Sequence, residues 1–115
     1  MRLPDVSGQV PTHRMAVARG TLHADVDPAR VPAAQAAALL AVKHAATLQP
    51  DAVPFQLTDA FCDVAHGTAT VTVQGMARTP IGHAALAGVA AALVALAGPA
   101  GEGRMELAIV QNVEH

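Results

Sequence analysis

Two alanine- and leucine-rich stretches, Ala29 to Leu48 and Ile81 to Ala97, constrain this chain more than any other feature, since neither holds an acidic residue. Alanine and leucine are strong helix formers. Pro50 stops the first stretch and Gly98-Pro99 the second, while Pro32 fits only a first helical turn. Two helices are therefore predicted, the first after turn residues Asp25 to Pro28.

The segments around them alternate with a period of two. Met15 and Val17 alternate with Ala16 and Ala18, and Leu22 falls on the opposite parity, so Arg19-Gly20 is an expected bulge that changes the phase. Phe55 and Leu57 share one parity, and Ala60, Cys62 and Val64 the other, with a bulge expected near Asp59. His66-Gly67 reads as the turn of a hairpin whose second strand sets Ala69, Val71 and Val73 against Thr70, Thr72 and Gln74. Met105, Leu107 and Ile109 begin a last strand reaching toward Val113.

Residues 1–12, with Pro4, Gly8 and Pro11, read as an extended arm, and 13–115 as a single domain. The resulting order, β-α-β-β-α-β, is the ferredoxin-like arrangement: an α+β fold with an antiparallel sheet and both helices on one face. The opposite sheet face would stay exposed unless another subunit covers it.

Composition excludes several functions. With 115 residues, 14 % charged, a net charge of −2 and a pI near 6.3, the chain is not a nucleic-acid-coating protein. It has no Trp or Tyr, and Phe55 and Phe61 are its two aromatics, too few for a base-stacking platform. Cys62 is the single cysteine, so no internal disulfide forms, and a buried thiol is the expectation. The start lacks an apolar signal-peptide core, and the uncharged Ala84–Ala97 run is too short for a bilayer, which needs about 20 residues. No membrane partner is expected, and the cytoplasm is the default location. An alanine-dominated core buries little area per residue, which points to a homo-oligomer.

Metal and nucleophile signatures are missing. His13, His23, His44, His66, His83 and His115 show no metal-ligand spacing, and Ser7 is the only serine. Gly98 to Gly103 lacks the Lys-Ser/Thr ending of a phosphate loop and reads as a plain loop. No cofactor or metal is expected. The candidate chemistry is an anion-binding patch of Arg14, Lys43, His44, Arg78 and His83. The competing reading of Lys43, the sole lysine, is charge complementarity at a helix C-terminus.

Several runs resemble one family. Asp5-Val6-Ser7 followed by Thr12, Arg14, Ala16, Ala18 and Gly20 is similar to the opening of cyclic pyranopterin monophosphate synthase, the C protein of molybdenum cofactor biosynthesis. Ala41-Val42-Lys43-His44 resembles that family's Ala-Ala-Lys-Arg, and Arg78 to Leu86 its Lys-Thr-Gly-Val-Glu-Met-Glu-Ala-Leu. Pro50, Pro54, Leu57 and Met105-Glu106-Leu107 keep the collinearity, which covers about residues 5–113. The resemblance implies a ferredoxin-like fold, a hexamer with sites at subunit interfaces, and a GTP-derived nucleotide or pterin phosphate as ligand.

The departures fall on the chemistry. The family's Cys-His lies at Ala52-Val53, its two glutamates at Gly82 and Ala84, its catalytic aspartate and lysine at Gly98 and Gly101, and a further lysine near Asp27. Arg14 and Lys43 remain, His44 replaces an arginine and Arg78 a lysine. The expectation is a catalytically degenerate relative, a pseudoenzyme that binds a phosphate-bearing ligand or a partner subunit. The alternatives are an active lyase using His83 as general acid or base, and a purely structural oligomerisation module.

Overall fold

A computed structural model of the chain describes residues 11–24, 26–48, 54–98 and 104–114, with the backbone alone for Leu48 and for 104–114. The Asp5-Val6-Ser7 run, most of the expected arm, Pro50, Ala52-Val53, Pro99 and Gly101 lie outside the described residues.

Strand β1 spans Thr12–His23, so Thr12 belongs to the sheet and not to the arm. Asp27 starts the helical layer. Its carboxylate accepts a hydrogen bond from the Ala29 N–H at 2.9 Å, and its carbonyl accepts one from the Arg30 N–H at 3.0 Å. This cap with Pro28 opens a 3-10 turn, Pro28–Arg30, which runs into helix α1, Val31–Leu48. Pro32 is thereby held in the first turn, where its missing N–H costs nothing.

Strands β2, Gln56–Ala65, and β3, Thr68–Ala77, form the hairpin. His66 and Gly67 both have positive φ, 52° and 77°, as a two-residue turn with matching twist requires. The β2–β3 register shifts between Leu57 and Asp59, where the bulge was expected. Helix α2, Gly82–Ala97, ends at Gly98 with φ 68°, and strand β4 is Arg104–Glu114. The sheet order is β2-β3-β1-β4, and each neighbouring pair is antiparallel.

Both helices cover one face of this sheet. The core joins Ala16, Ala18 and Leu22 of β1 and Val71 and Val73 of β3 to Ala38 and Val42 of α1 and Val89, Ala92 and Leu93 of α2. Here β1 departs from expectation. Its ladder with β3 is unbroken from Thr12–Ala77 to Thr21–Thr68, so Arg19-Gly20 is no bulge in that pairing and Leu22 shares the parity of the alanines. The β1 register instead shifts against β4, between Val17 and Ala18. The small residues point inward and Met15 and Val17 outward. Close helix approach is the reason: a Cβ on Gly88 of α2 would stand 2.9 Å from Val42 Cγ2 and 3.0 Å from Val71 Cγ1. A core this thin takes alanine and not methionine on the covered face.

Arg30 locks the far end of α2. Its guanidinium packs on Gly98 and donates from Nη1 to the Ala95 carbonyl at 3.4 Å. A cation there satisfies a carbonyl left over by the helix end and complements its dipole. No helix among the described residues is long and apolar enough to cross a membrane.

Candidate functional site

The start of β1, the end of β3, the first turn of α2 and the last turn of α1 converge at one end of the molecule. Arg14 ties the first two together. It donates from Nε to the Ala77 carbonyl at 3.2 Å and from Nη2 to the Arg78 carbonyl at 3.3 Å. These carbonyls lie where β3 leaves the sheet, so Arg14 fixes the direction in which Arg78 departs.

The α1 C-terminus supplies the other connection. The Ala46 carbonyl, one of the last four that a helix cannot satisfy internally, accepts from the Phe55 N–H at 3.0 Å. Phe55 in turn lies over Gly75, where a Cβ would stand 2.6 Å from the Gln56 carbonyl and 2.9 Å from the ring. The mid-strand glycine is thus required by the close approach of Phe55 and β2. An open cleft of about 440 Å³ follows, lined by Pro11, Pro54, Phe55, Gln56, Met76, Ala77 and Arg78. A smaller one of about 220 Å³, lined by Val26, Pro28, Val31, Val64, His66 and Gly67, sits at the other end of β3.

Of the five candidate residues, Arg78 lines the larger cleft with an exposed side chain. Arg14 reaches it through the Ala77 and Arg78 backbone. His83 stands in the first turn of α2 with its ring edge-on to Phe55, centroids 5.9 Å apart. Burial lowers its pKa, and a hydrogen bond to the Ala45 backbone opposes the shift. Its Nε2 is enclosed without a hydrogen-bond partner. A general acid or base must reach the proton it moves, and Nε2 is not open to solvent. Lys43 and His44 are exposed on α1, ahead of the turn that meets Phe55 and His83. The last turn of α1 holds no basic residue, so Lys43 is not placed to complement the helix terminus.

Gly82, Ala84 and Gly98, which stand where the similar family has charged groups, carry none here, and Asp27 stands near the position of a lysine. Gly82 and Ala84 are both buried in the first turn of α2. Asp27 is occupied as the cap, and Gly98 as the α2 terminus against Arg30. Among the described residues, no three His, Cys, Asp or Glu side chains gather in a way that would hold a metal ion. Cys62 is half-buried against the core, and burial, with Asp63 beside it, raises its thiol pKa. It is held as the thiol, which is the unreactive form.

Sequence reasoning missed Phe55 and Met76 as cleft walls. A signal was present in Gly75, a lone glycine in a strand pattern, which marks close backbone approach. No protein-family model matches the chain, and no curated protein matches it.

Proposed function

We propose that the chain is a catalytically degenerate relative of cyclic pyranopterin monophosphate synthase, ferredoxin-like in fold, whose end cleft binds a small phosphate-bearing ligand of the nucleotide or pterin class. The observation that carries the ligand reading is the tie between Arg14 and Arg78. A guanidinium spent on two backbone carbonyls orients a second, exposed guanidinium at the rim of an apolar cleft. Charge at the rim and Phe55 and Met76 on the wall suit an anion with a flat, apolar body. Arg78 is the ligand-contacting residue, Arg14 a positioning residue, and Lys43 and His44 stand exposed on the neighbouring helix as the further candidate contacts.

The family assignment draws on the collinear residues and on the sheet order, with β1 between β3 and β4 and both helices on one face. Degeneracy draws on Gly82, Ala84 and Gly98. General acid–base groups contribute roughly 10² to 10⁴ in rate, and no carboxylate stands at these positions.

Calorimetric titration of the purified chain with GTP, and with inorganic phosphate as the minimal probe, tests the reading. GTP should bind, with affinity falling about tenfold or more in Arg78→Ala, the weight of a charged hydrogen bond. Binding unaffected by Arg78→Ala, or no binding of either anion at millimolar concentration, overturns the ligand reading. Turnover of the family's GTP-derived cyclic substrate, lost in Arg14→Ala, overturns degeneracy.

A further inference from the structure

One wall of the end cleft hangs on two successive carbonyls near the C-terminus of α1. The Ala46 carbonyl accepts from the Phe55 N–H at 3.0 Å, and the Ala45 backbone takes a hydrogen bond from the His83 ring. His83 Nε2 has no partner, so Nδ1 is the nitrogen that donates to Ala45. The two rings then meet edge-on, with centroids 5.9 Å apart. Phe55 also lies over Gly75, where a Cβ would stand 2.9 Å from its ring. Bare β3 backbone and the α2 imidazole thus hold Phe55 where it lines the cleft.

Only the neutral imidazole fits this arrangement. It has one N–H, which Ala45 accepts, and one bare nitrogen, Nε2, which is enclosed. Protonation puts a second N–H on Nε2, where no acceptor among the described residues meets it and water does not reach. Turning the ring over leaves an N–H in the same place. A buried donor without an acceptor costs the desolvation of that group. The surrounding segments offer the cation no relief. Helix α1 brings Lys43 and His44, the exit of β3 Arg78, the start of β1 His13 and Arg14, and the entry to β2 the uncharged Phe55 and Gln56. Neither helix holds a carboxylate. On β4, Glu114 stands opposite Arg14 in the register, one strand beyond β1. His83 is half-buried in the first turn of α2, so rotation of its side chain carries the ring out to water.

We infer that His83 is a proton-operated latch on the cleft. Neutral, it holds Phe55 in place as the wall; protonated, it swings to solvent and releases the wall. Burial, the larger cause, sets its pKa below the ordinary 6.5, so the latch holds at neutral pH and releases on the acid side of that value. The effect on ligand rests on the anion-binding reading of the cleft; the movement of Phe55 does not. One pH unit below the His83 midpoint about a tenth of the molecules keep the neutral ring, so the apparent dissociation constant of a ligand seated on Phe55 rises about tenfold.

NMR of the full chain between pH 7.5 and 5.0 tests the latch. Phe55 and Phe61 are the only two phenylalanines and there is no Trp or Tyr, so their ring signals separate cleanly. The Phe55 ring signals should move with the midpoint of His83 itself, and the Phe55 amide should lose exchange protection over the same range. The amides of Val71 and Leu93, in the core, should keep theirs. His83→Gln keeps an N–H donor and does not titrate, and should hold the Phe55 signals flat. His44→Gln should leave them titrating as in the parent. Phe55 signals that stay flat while His83 titrates overturn the inference. So does a His83 that stays neutral throughout, a Phe55 response that follows His44, or one that survives His83→Gln. Loss of Val71 and Leu93 protection together with that of Phe55 is global unfolding and overturns it too. The parent and His44→Gln decide the question even where His83→Gln fails to fold. GTP titrations of the parent and His83→Gln across the same range add the binding readout, and the ratio of the two affinities cancels the ligand's own protonation. A ratio constant with pH, in a chain that binds GTP, overturns the latch as a control on the cleft. Absence of GTP binding at pH 7.5 bears on the ligand reading alone and leaves the NMR outcome to decide the latch.

Discussion

The His83 imidazole meets the Phe55 ring edge-on at 90°, with the centroids 5.9 Å apart and Nε2 enclosed without a partner. This contact couples α2 to the strand entry that hangs from the Ala46 carbonyl. It also makes the neutral imidazole the form that fits. Burial holds the folded pKa below the ordinary 6.5, so the unfolded chain takes up a proton first as the pH falls. The stability contributed is complete above about pH 6.5 and is lost as the pH falls toward the folded pKa. Urea midpoints at pH 7.5, 6.5 and 5.5 for the parent and His83→Gln test this. The parent should lose more over that range than the variant. A gap that is constant, or widens in favour of the parent at low pH, refutes the assignment.

Gly88 lets three elements meet, and Gly88→Ala should not be tolerated. Alanine gains about 1 kcal/mol in helix propensity. Against this, its Cβ would stand within 3.0 Å of methyls on Val42 and Val71, which belong to two different elements and are both fully buried. Overpacking costs typically 1 to 3 kcal/mol, so a net loss of about 1 kcal/mol and a Tm lower by several degrees are expected. Thermal unfolding checks it, with Val94→Ala on the exposed side of α2 as the comparison. An unchanged or higher Tm for Gly88→Ala would mean that α1 shifts freely.

The same thin core explains which parts of the fold were legible. The helices were, because alanine, leucine and their Pro and Gly stops act locally. The hairpin was, because His66-Gly67 and the shift before Asp59 are local turn and bulge chemistry. The phase of β1 was not. Large apolar residues ordinarily face the core, but here Ala16 and Ala18 do, in a layer where α2 already meets α1 and β3 at Gly88 with no room for a Cβ. Nothing within β1 reports how near a helix seventy residues later will lie. The cleft was half legible. Arg14 and Arg78 stood out as charges, yet the carbonyls that Arg14 grips lie more than sixty residues away, and Phe55 acquires its place only through Gly75.

Cys62, half-buried where full burial is the sequence expectation, should still behave as an unreactive thiol and not as a nucleophile. It packs against the core from β2, and both burial and the Asp63 carboxylate push its pKa upward. Thiolate, the reactive form, is therefore scarce at pH 8. Iodoacetamide should label native protein about tenfold more slowly, or slower still, than the same chain in urea. Asp63→Asn should speed the native reaction modestly by removing the lesser of the two causes. Native labelling as fast as in urea would contradict the placement.

Arg30 and Gly98 form the far lock of α2, and they should fail differently. Arg30→Ala removes the hydrogen bond to the Ala95 carbonyl and a cation at the helix terminus, a loss of about 1 kcal/mol that salt should diminish. Gly98→Ala sets a Cβ against the Arg30 guanidinium at a residue with φ 68°, and should cost more than 1 kcal/mol at any salt concentration. Urea unfolding in 0.05 and 0.5 M NaCl separates the two. If both variants lose stability equally and without salt dependence, the charge at the helix end contributes nothing.

Arg14 gives the sharpest separation of charge from geometry. Its fork reaches two successive carbonyls, Ala77 from Nε and Arg78 from Nη2, which a lysine ammonium on a flexible stem does not reproduce. If its role is to orient the end of β3, Arg14→Lys should keep the charge and lose the function. Both Arg14→Lys and Arg14→Ala should then destabilise the chain, by about 1 kcal/mol, because the part-buried Ala77 carbonyl loses this donor. Both should also weaken anion binding at Arg78 to a similar degree. If instead Arg14 acts as a bare positive charge, Arg14→Lys will bind GTP as the parent does and Arg14→Ala alone will fail. Parallel calorimetric titrations of the three proteins decide between these, and parent-like affinity in Arg14→Lys would remove Arg14 as a positioning residue.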